Sequence, residues 1–400
     1  MSIHKVLLLD RNRLLPVFVL LLSILPAPRL VAQYTHDVIS LSQGYVLTQL
    51  SGQGIAGAVE SSLANLTAAN PALLADYPNI CAGLSLQAET EIKPGWIADI
   101  GYRRPPKRLV QAAGIVLPLE RMRIGLGLGY FQKYSAEMLF DSLKIRTPFA
   151  PDGTGEYVKP YENTIIDTWT LSGTFSKRHI LSTGDQMSAA LSVHLNNLDY
   201  YASFGDSLEW YDEDARQFTF AAGWIYASPE DLGCRVKLGI HYELGADIRG
   251  TGKYSGTRDW DLEQEDEGQF ALTARTPTRL YTGIKIELGQ RLSLTTGNNW
   301  VAWEEVRDNV INQHEYTLSL AFRWSSSLIT TVGIFSTDMK HLNWGLDIPS
   351  DDAFKATYLL FGLSKQLGPL SLDAVIADSH RNSGAWIERT ILKLGLGVTL

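Results

Sequence analysis

A chain of 400 residues with 45% apolar and 20% charged residues has enough apolar side chains for one large domain or two ordinary ones, and too many to stay disordered. Its net charge of −8, with no basic run, argues against a nucleic-acid partner. Only two cysteines occur, Cys81 and Cys234, with no CxxC or Cys/His cluster, which argues against a disulfide framework. Tyr (17), Trp (10), Phe (13) and Gly (34) are plentiful, a mix suited to β-structure with aromatic-rich surfaces and tight turns.

At the N-terminus Lys5, Arg11 and Arg13 precede an apolar stretch from Leu14 to Pro28, and "RLVA" ends at Ala32. This reads as an export signal spanning 1–32, with cleavage after Ala32 and a mature chain starting at Gln33 outside the cytoplasm. No cysteine follows to accept a lipid anchor. Beyond it no stretch approaches the roughly 18 consecutive apolar residues of a spanning helix. Residues 33–80 include "SGQGIAGAVESSLANL", small and weakly amphipathic, and are expected to form a helical plug. Pro71 should end the helical pattern at Asn70, because the residue before proline is pushed out of the helical region.

From residue 81 onward the dominant period is two. Ile124, Leu126, Leu128 and Tyr130 alternate with Arg123, Gly125, Gly127 and Gly129. Similar runs occupy 187–196, 218–226, 235–242 and 315–324, and Leu392, Leu394, Leu396, Val398 and Leu400 close the chain. A soluble sandwich would bury the apolar face, whereas a membrane barrel turns it outward to lipid. Tyr130, Tyr226, Tyr242 and Trp324 end apolar stripes, as an interfacial girdle requires, and the opposite faces carry Arg, Lys and Glu, which a wet lumen tolerates. Short links are expected near 119–121, 229–233, 289–291, 325–327 and 366–369. Long polar links are expected near 141–162, 205–215, 251–270, 305–313, 339–355 and 380–386. The expected fold is all-β, a transmembrane antiparallel up-and-down barrel over 81–400 with a plug in its lumen. Parity of rising and descending strands sets the count at about 14. That count treats "CAGLSLQAETEIKPGWIADIGYRR" as one ascent interrupted near Pro94, and "TARTPTRLYTGIKIEL" as one strand with Pro277 near its outer end.

"GIAGAVESSLANLTAANPALLADYP", followed by "AGLSLQAETEI", resembles the start of the FadL/TodX family of outer-membrane hydrophobic-solute transporters. Asn70, Pro71, Ala72 and Leu74 match that family's Asn-Pro-Ala-x-Leu-like hatch motif. The resemblance implies an N-terminal hatch, a barrel of about 14 strands, and uptake of hydrophobic small molecules such as long-chain fatty acids. Barrels attached to the bacterial type-nine secretion machinery share the motif. The last strand, ending at Leu400, resembles the C-terminal recognition strand of outer-membrane proteins, which usually ends in Phe.

The eight histidines form no HxxxH or HExxH pair and no GxSxG occurs, so neither a metal, a cofactor nor an enzymatic role is expected. Acidic "RDWDLEQEDEG" (258–268) and "WYDEDAR" (210–216) read as solvated outer loops. Trp300 and Trp303 have opposite strand parity, so one should face the lumen and contact an apolar ligand. The expected partners are a hydrophobic small molecule and the lipid and lipopolysaccharide of the bacterial outer membrane. The rival reading is a non-transporting barrel that docks a protein partner through its outer loops. An open polar porin and a soluble secreted β-protein are further rivals.

Overall fold

The computed structural model describes residues 57–90, 92–97, 100–104, 106–119, 124–140, 143–144, 157–204, 208–229, 233–257, 265–306, 311–338, 355–381 and 388–400. The expected signal (1–32) and the first part of the expected plug (33–56) lie outside them.

Eighteen strand segments join in one antiparallel sheet. Four staves are each broken once, so the segments form 14 staves. They are β1 (Cys81–Glu89, then Ile92–Ile97), β2 (Ile100–Arg104, then Lys107–Leu119), β3 (Ile124–Phe140), β4 (Pro160–Arg178), β5 (Gln186–Phe204), β6 (Leu208–Ala227) and β7 (Cys234–Glu243, then Asp247–Thr257). Then follow β8 (Glu265–Arg275, then Arg279–Leu288), β9 (Leu292–Val301), β10 (Gln313–Ser325), β11 (Leu328–Asp338), β12 (Lys355–Leu367), β13 (Leu370–Asp378) and β14 (Thr390–Thr399). Each pairs with its sequence neighbour, and β1 closes on β14 in a register running from Cys81↔Thr399 to Glu89↔Ile391. Pairing of β1 with β14 closes the sheet into a ring, the condition for backbone to cross a bilayer without unsatisfied N–H and C=O groups.

Side-chain burial is inverted relative to a soluble sheet. Leu128, Leu171, Leu191, Phe218, Phe220 and Phe361 are each more than half exposed on the outer face. Thr168, Thr170, Ser172, Ser192, Asn196 and Ser319 are buried on the inner face. A large apolar side chain kept in water rather than buried costs about 1.5–3 kcal/mol. A belt of them exceeds the roughly 5–15 kcal/mol by which a folded domain is stable. The belt therefore faces lipid, and the chain is a transmembrane barrel.

The link lengths alternate as expected, with three corrections. The first ascent does not run to Arg104: the chain turns between Ile97 and Ile100, which pair, and Ile100–Arg104 begins the descent. Residues 208–215 are strand rather than loop, because β6 runs on above the membrane and pairs with both β5 and the second segment of β7. "WYDEDAR" thus sits on a wall, and in "RDWDLEQEDEG" residues 265–268 extend β8 while 258–264 lie outside the described residues. "TARTPTRLYTGIKIEL" belongs to one stave broken at Thr276–Thr278, where Thr276 N–H donates to Ala246 O across the matching break in β7.

The third correction concerns the plug. Its described part holds no α-helix, only two short 3₁₀ helices, Leu63–Asn65 and Pro71–Asp76. Asn70 is the boundary, but Pro71 starts the second helix rather than only stopping the first. It sits at the first helical position, where its missing N–H costs nothing.

Candidate functional site

The lumen has two unlike halves. Residues 57–80 fill the half nearest the short turns, and this hatch lies against inner-face glycines. A Cβ at Gly239 would overlap Ala58 O, one at Gly83 would overlap Leu63 O, and one at Gly223 would overlap Asn70 Oδ1. Gly125 and Gly127 lie under Leu74, and Gly129 under Thr67. The small faces of the alternating strands are therefore the bed on which the hatch rests.

Asn70 is the point where hatch and wall meet. Its side-chain amide, fully buried, donates to Ala58 O (2.7 Å) in the hatch and to Ile240 O (3.1 Å) in the wall, with Trp224 O at 3.4 Å. Its Oδ1 accepts from Ala72 N (3.0 Å) and so caps the helix that Pro71 begins. Thr174 on β4 donates its hydroxyl to Pro71 O (2.6 Å). Ala72 packs with Leu73, Ala69, Ala190 and Ile225, and Leu74 packs with Leu66, Cys81 and Val116. All four motif residues thus anchor the hatch to the wall. Ion pairs add to this: Glu60 meets Lys285 (2.9 Å) and Asp76 meets Lys237 (3.0 Å). Tyr77 donates to Ser61 O (3.3 Å); burial, and then the neighbouring Asp76 carboxylate, push its hydroxyl above the usual phenol range.

Above the hatch lies a buried polar layer that local sequence reading did not assemble. Lys133 Nζ stands 2.8 Å from Glu243 Oε1, and His194 Nδ1 stands 3.8 Å from the same oxygen. His241 stacks on Tyr281 with ring centroids 5.3 Å apart, and Phe131 meets His194 edge-on at 5.7 Å. Lys133 keeps the odd inward register of Gly125, Gly127, Gly129 and Phe131, and a bulge in β3 between Gln132 and Tyr134 then brings Tyr134 to the same face. The extra residue shifts the inward parity from odd to even positions. The free space between this layer and Thr67–Pro71 is about 10 Å³, barely room for one water. The hatch therefore packs directly against this layer along β3, β5, β7 and β8.

Toward the long-loop end the inner face changes character. Tyr134, Ile166, Leu198, Tyr200, Ile248, Val301, Trp303, Phe335, Tyr358 and Ile391 form one buried apolar cluster inside the barrel. Of the two tryptophans singled out by parity, Trp303 lies not on β9, which ends at Val301, but in the short 3₁₀ helix Trp303–Glu305 that follows it, so strand parity does not govern it; it is completely buried in this cluster, its indole N–H donating to Gln313 Oε1 at 2.7 Å. Trp300 lies in the outward register of β9, half-exposed, opposite Leu280 and His314. Beneath the cluster, Arg389 donates to Tyr358 Oη (2.8 Å) and pairs with Glu89 (3.2 Å), while Arg279 lies against Tyr134. Arg279 stands 4.0 Å from Glu315, so each guanidinium has a carboxylate beside it and the apolar cluster has a charged floor.

This is the arrangement of a hatch-plugged transmembrane barrel of the outer-membrane type, with an apolar upper lumen. Solved structures share the fold. The Ralstonia pickettii toluene transporter TbuX matches with a TM-score of 0.61 at 12% identity, over 91% of this chain and 100% of that one. The Pseudomonas putida toluene transporter TodX matches with a TM-score of 0.60 at 12% identity, over 92% and 97%. A Pseudomonas aeruginosa FadL homologue matches with a TM-score of 0.57 at 13% identity, over 89% and 99%. No protein-family model and no curated protein sequence matches the chain. The chain has the fold of the FadL/TodX-like barrels, and the matched structures are channels and transporters rather than enzymes.

Proposed function

We propose that this barrel carries hydrophobic small molecules across the bacterial outer membrane. The observation that carries the reading is the apolar cluster inside the outer half of the lumen, in a barrel whose inner face is otherwise polar. A channel for water-soluble solutes has no use for such a lining, whereas a greasy solute crossing a lipopolysaccharide layer needs one. The solute would enter among the outer loops, rest against Trp303, Phe335 and Tyr358, and leave when the hatch shifts at its Asn70–Leu74 anchor. Monoaromatic hydrocarbons and long-chain fatty acids both suit the cluster chemically. The test is uptake and binding: a deletion strain should take up toluene or a long-chain fatty acid more slowly, and the purified protein should bind the same compound. Normal uptake on deletion, together with no binding by the protein, would refute the proposal.

A further inference from the structure

Within the apolar cluster Trp303 differs from its large neighbours in its backbone. Tyr134 and Ile166 pair in register across β3 and β4, and Phe335 and Tyr358 across β11 and β12, so ladder pairing fixes where those side chains start. Trp303 instead hangs from a single-turn 3₁₀ helix in the β9–β10 connection. That turn is tied to the break in β8: Ala302 N–H donates to Thr278 O (2.9 Å), and Thr278 N–H donates to Glu305 Oε2 (3.3 Å). Such tethers place the Cα and leave χ1 and χ2 of the indole to be set by its surroundings. A directional constraint on the ring is its 2.7 Å bond to Gln313 Oε1. Gln313 opens β10 opposite Val301 and is itself buried. Its amide nitrogen donates to Thr337 Oγ1 on β11 and, at 3.4 Å, to Glu315 Oε1. A carboxylate accepts and an indole N–H only donates, so the amide has one way round: nitrogen toward Glu315, oxygen toward Trp303. Glu315 in turn accepts from Asn299 Nδ2 on β9 and stands 4.0 Å from Arg279 on β8. Glu315, Asn299 and Thr337 are all buried, so four strands fix the group that meets the indole.

We infer that Gln313 is a positioning residue for the carried solute: it holds the Trp303 indole as a fixed face of the apolar lining, and Glu315 and Thr337 hold Gln313 in the orientation that does so. The inference rests on the transport reading above and adds to it a residue that acts through Trp303 rather than on the solute. With the acceptor removed, the buried indole N–H is left unsatisfied, a cost that turns the ring toward another partner. With the N–H removed as well, nothing is left to hold, and the loss of the acceptor becomes nearly neutral. That asymmetry separates positioning from a general part in the fold.

The test uses the full-length barrel in phosphatidylcholine nanodiscs, titrated with toluene. Gln313→Met keeps the length of the side chain and loses the amide; it should weaken toluene binding about five-fold. The near-ultraviolet circular dichroism contributed by Trp303, taken as the difference from Trp303→Phe, should fall by about half or more in the same variant, because a ring free to turn loses its fixed environment. In the Trp303→Phe background Gln313→Met should change affinity less than about two-fold, since Phe has no N–H to lose. Thr337→Val removes a partner of the Gln313 amide. It should weaken toluene binding in the same sense, again only where Trp303 is present, and it carries the test if Gln313→Met does not fold. An equal loss in both backgrounds, or an affinity and a dichroism that neither variant alters, would overturn the positioning role while leaving transport intact. Failure of the unaltered barrel to bind toluene or a long-chain fatty acid would overturn the transport reading, and the role of Gln313 with it.

Discussion

The two halves of the lumen are built from the same strands and solve opposite problems. In the half near the short turns the hatch rests on inner-face glycine, serine and threonine, with Lys237 and Lys285 pairing its carboxylates, and its backbone comes within van der Waals reach of the wall. In the half near the long loops the inner face is Trp303, Phe335, Tyr358, Leu198 and Ile248, large enough to form a cluster of its own. Small residues make room for a peptide that must fit tightly; large apolar ones fill the space with one another. Between them lies the Lys133–Glu243 layer, where the barrel changes from one task to the other.

Substitutions that exchange the character of the halves should have the largest effects. Gly239→Val places a side chain where Ala58 O now lies. It should expel the hatch and turn a closed barrel into one that conducts ions in a planar bilayer. Gly173→Ala, whose added carbon would meet only Leu126 at 4.0 Å, should leave conductance unchanged. Conductance rising equally in both would break the link between glycine faces and closure.

Removing one partner of the buried pair comes next. Lys133→Met alone should lower resistance to urea unfolding by about 3–5 kcal/mol, because Glu243 is left charged and uncompensated. Lys133→Met/Glu243→Leu should restore most of the loss. A single variant as stable as the parent would show that the layer is not a load on the fold.

Asn70 separates capping from anchoring. Asn70→Ala should cost the hatch about 2–3 kcal/mol through a lost cap and lost amide donors, read as faster hydrogen exchange across 57–80. Asn70→Asp keeps the Oδ1 cap but turns an acceptor toward Ala58 O and Ile240 O, so it should exchange faster still. If Asp behaves like Asn, the wall contacts are dispensable.

In the upper half Trp303→Ala should weaken solute binding about ten-fold, near 1.4 kcal/mol, measured with toluene and a long-chain fatty acid side by side. Loss for one solute only would show which class the cluster prefers.

The smallest effect belongs to the β4–β5 turn. Burial alone would raise the Asp185 carboxyl, but N–H groups of Leu181, Ile180 and Ser182 donate to it and hold it below the usual carboxylate range. A depressed folded value means that the turn is fully stabilised above the unfolded carboxylate value, about 4, and loses that contribution as pH falls through the folded one. Hydrogen exchange at 180–182 should therefore stay slow at pH 5 and quicken only in stronger acid, and Asp185→Asn should abolish the pH dependence.

Period-two alternation is a local property, so the chain alone was enough to show which face of each strand meets lipid and, through the parity of rises and descents, how many staves there are. Leu394, Leu396 and Leu126 point outward as that pattern requires. Pro94 and Pro277 marked real interruptions, yet the first hairpin tip at Ile97–Ile100 escaped notice because only Ala98 and Asp99 stand between the paired residues, too short a break to read as a loop. The Asn-Pro-Ala motif was visible, while its work was not: Asn70 reaches Ile240, 170 residues away. What only the tertiary structure decided is the content of the lumen. The bulge that swings Tyr134 inward, the meeting of Lys133 with Glu243, and the glycines spared for the hatch all arise from pairings between distant strands, which no window of neighbouring residues contains.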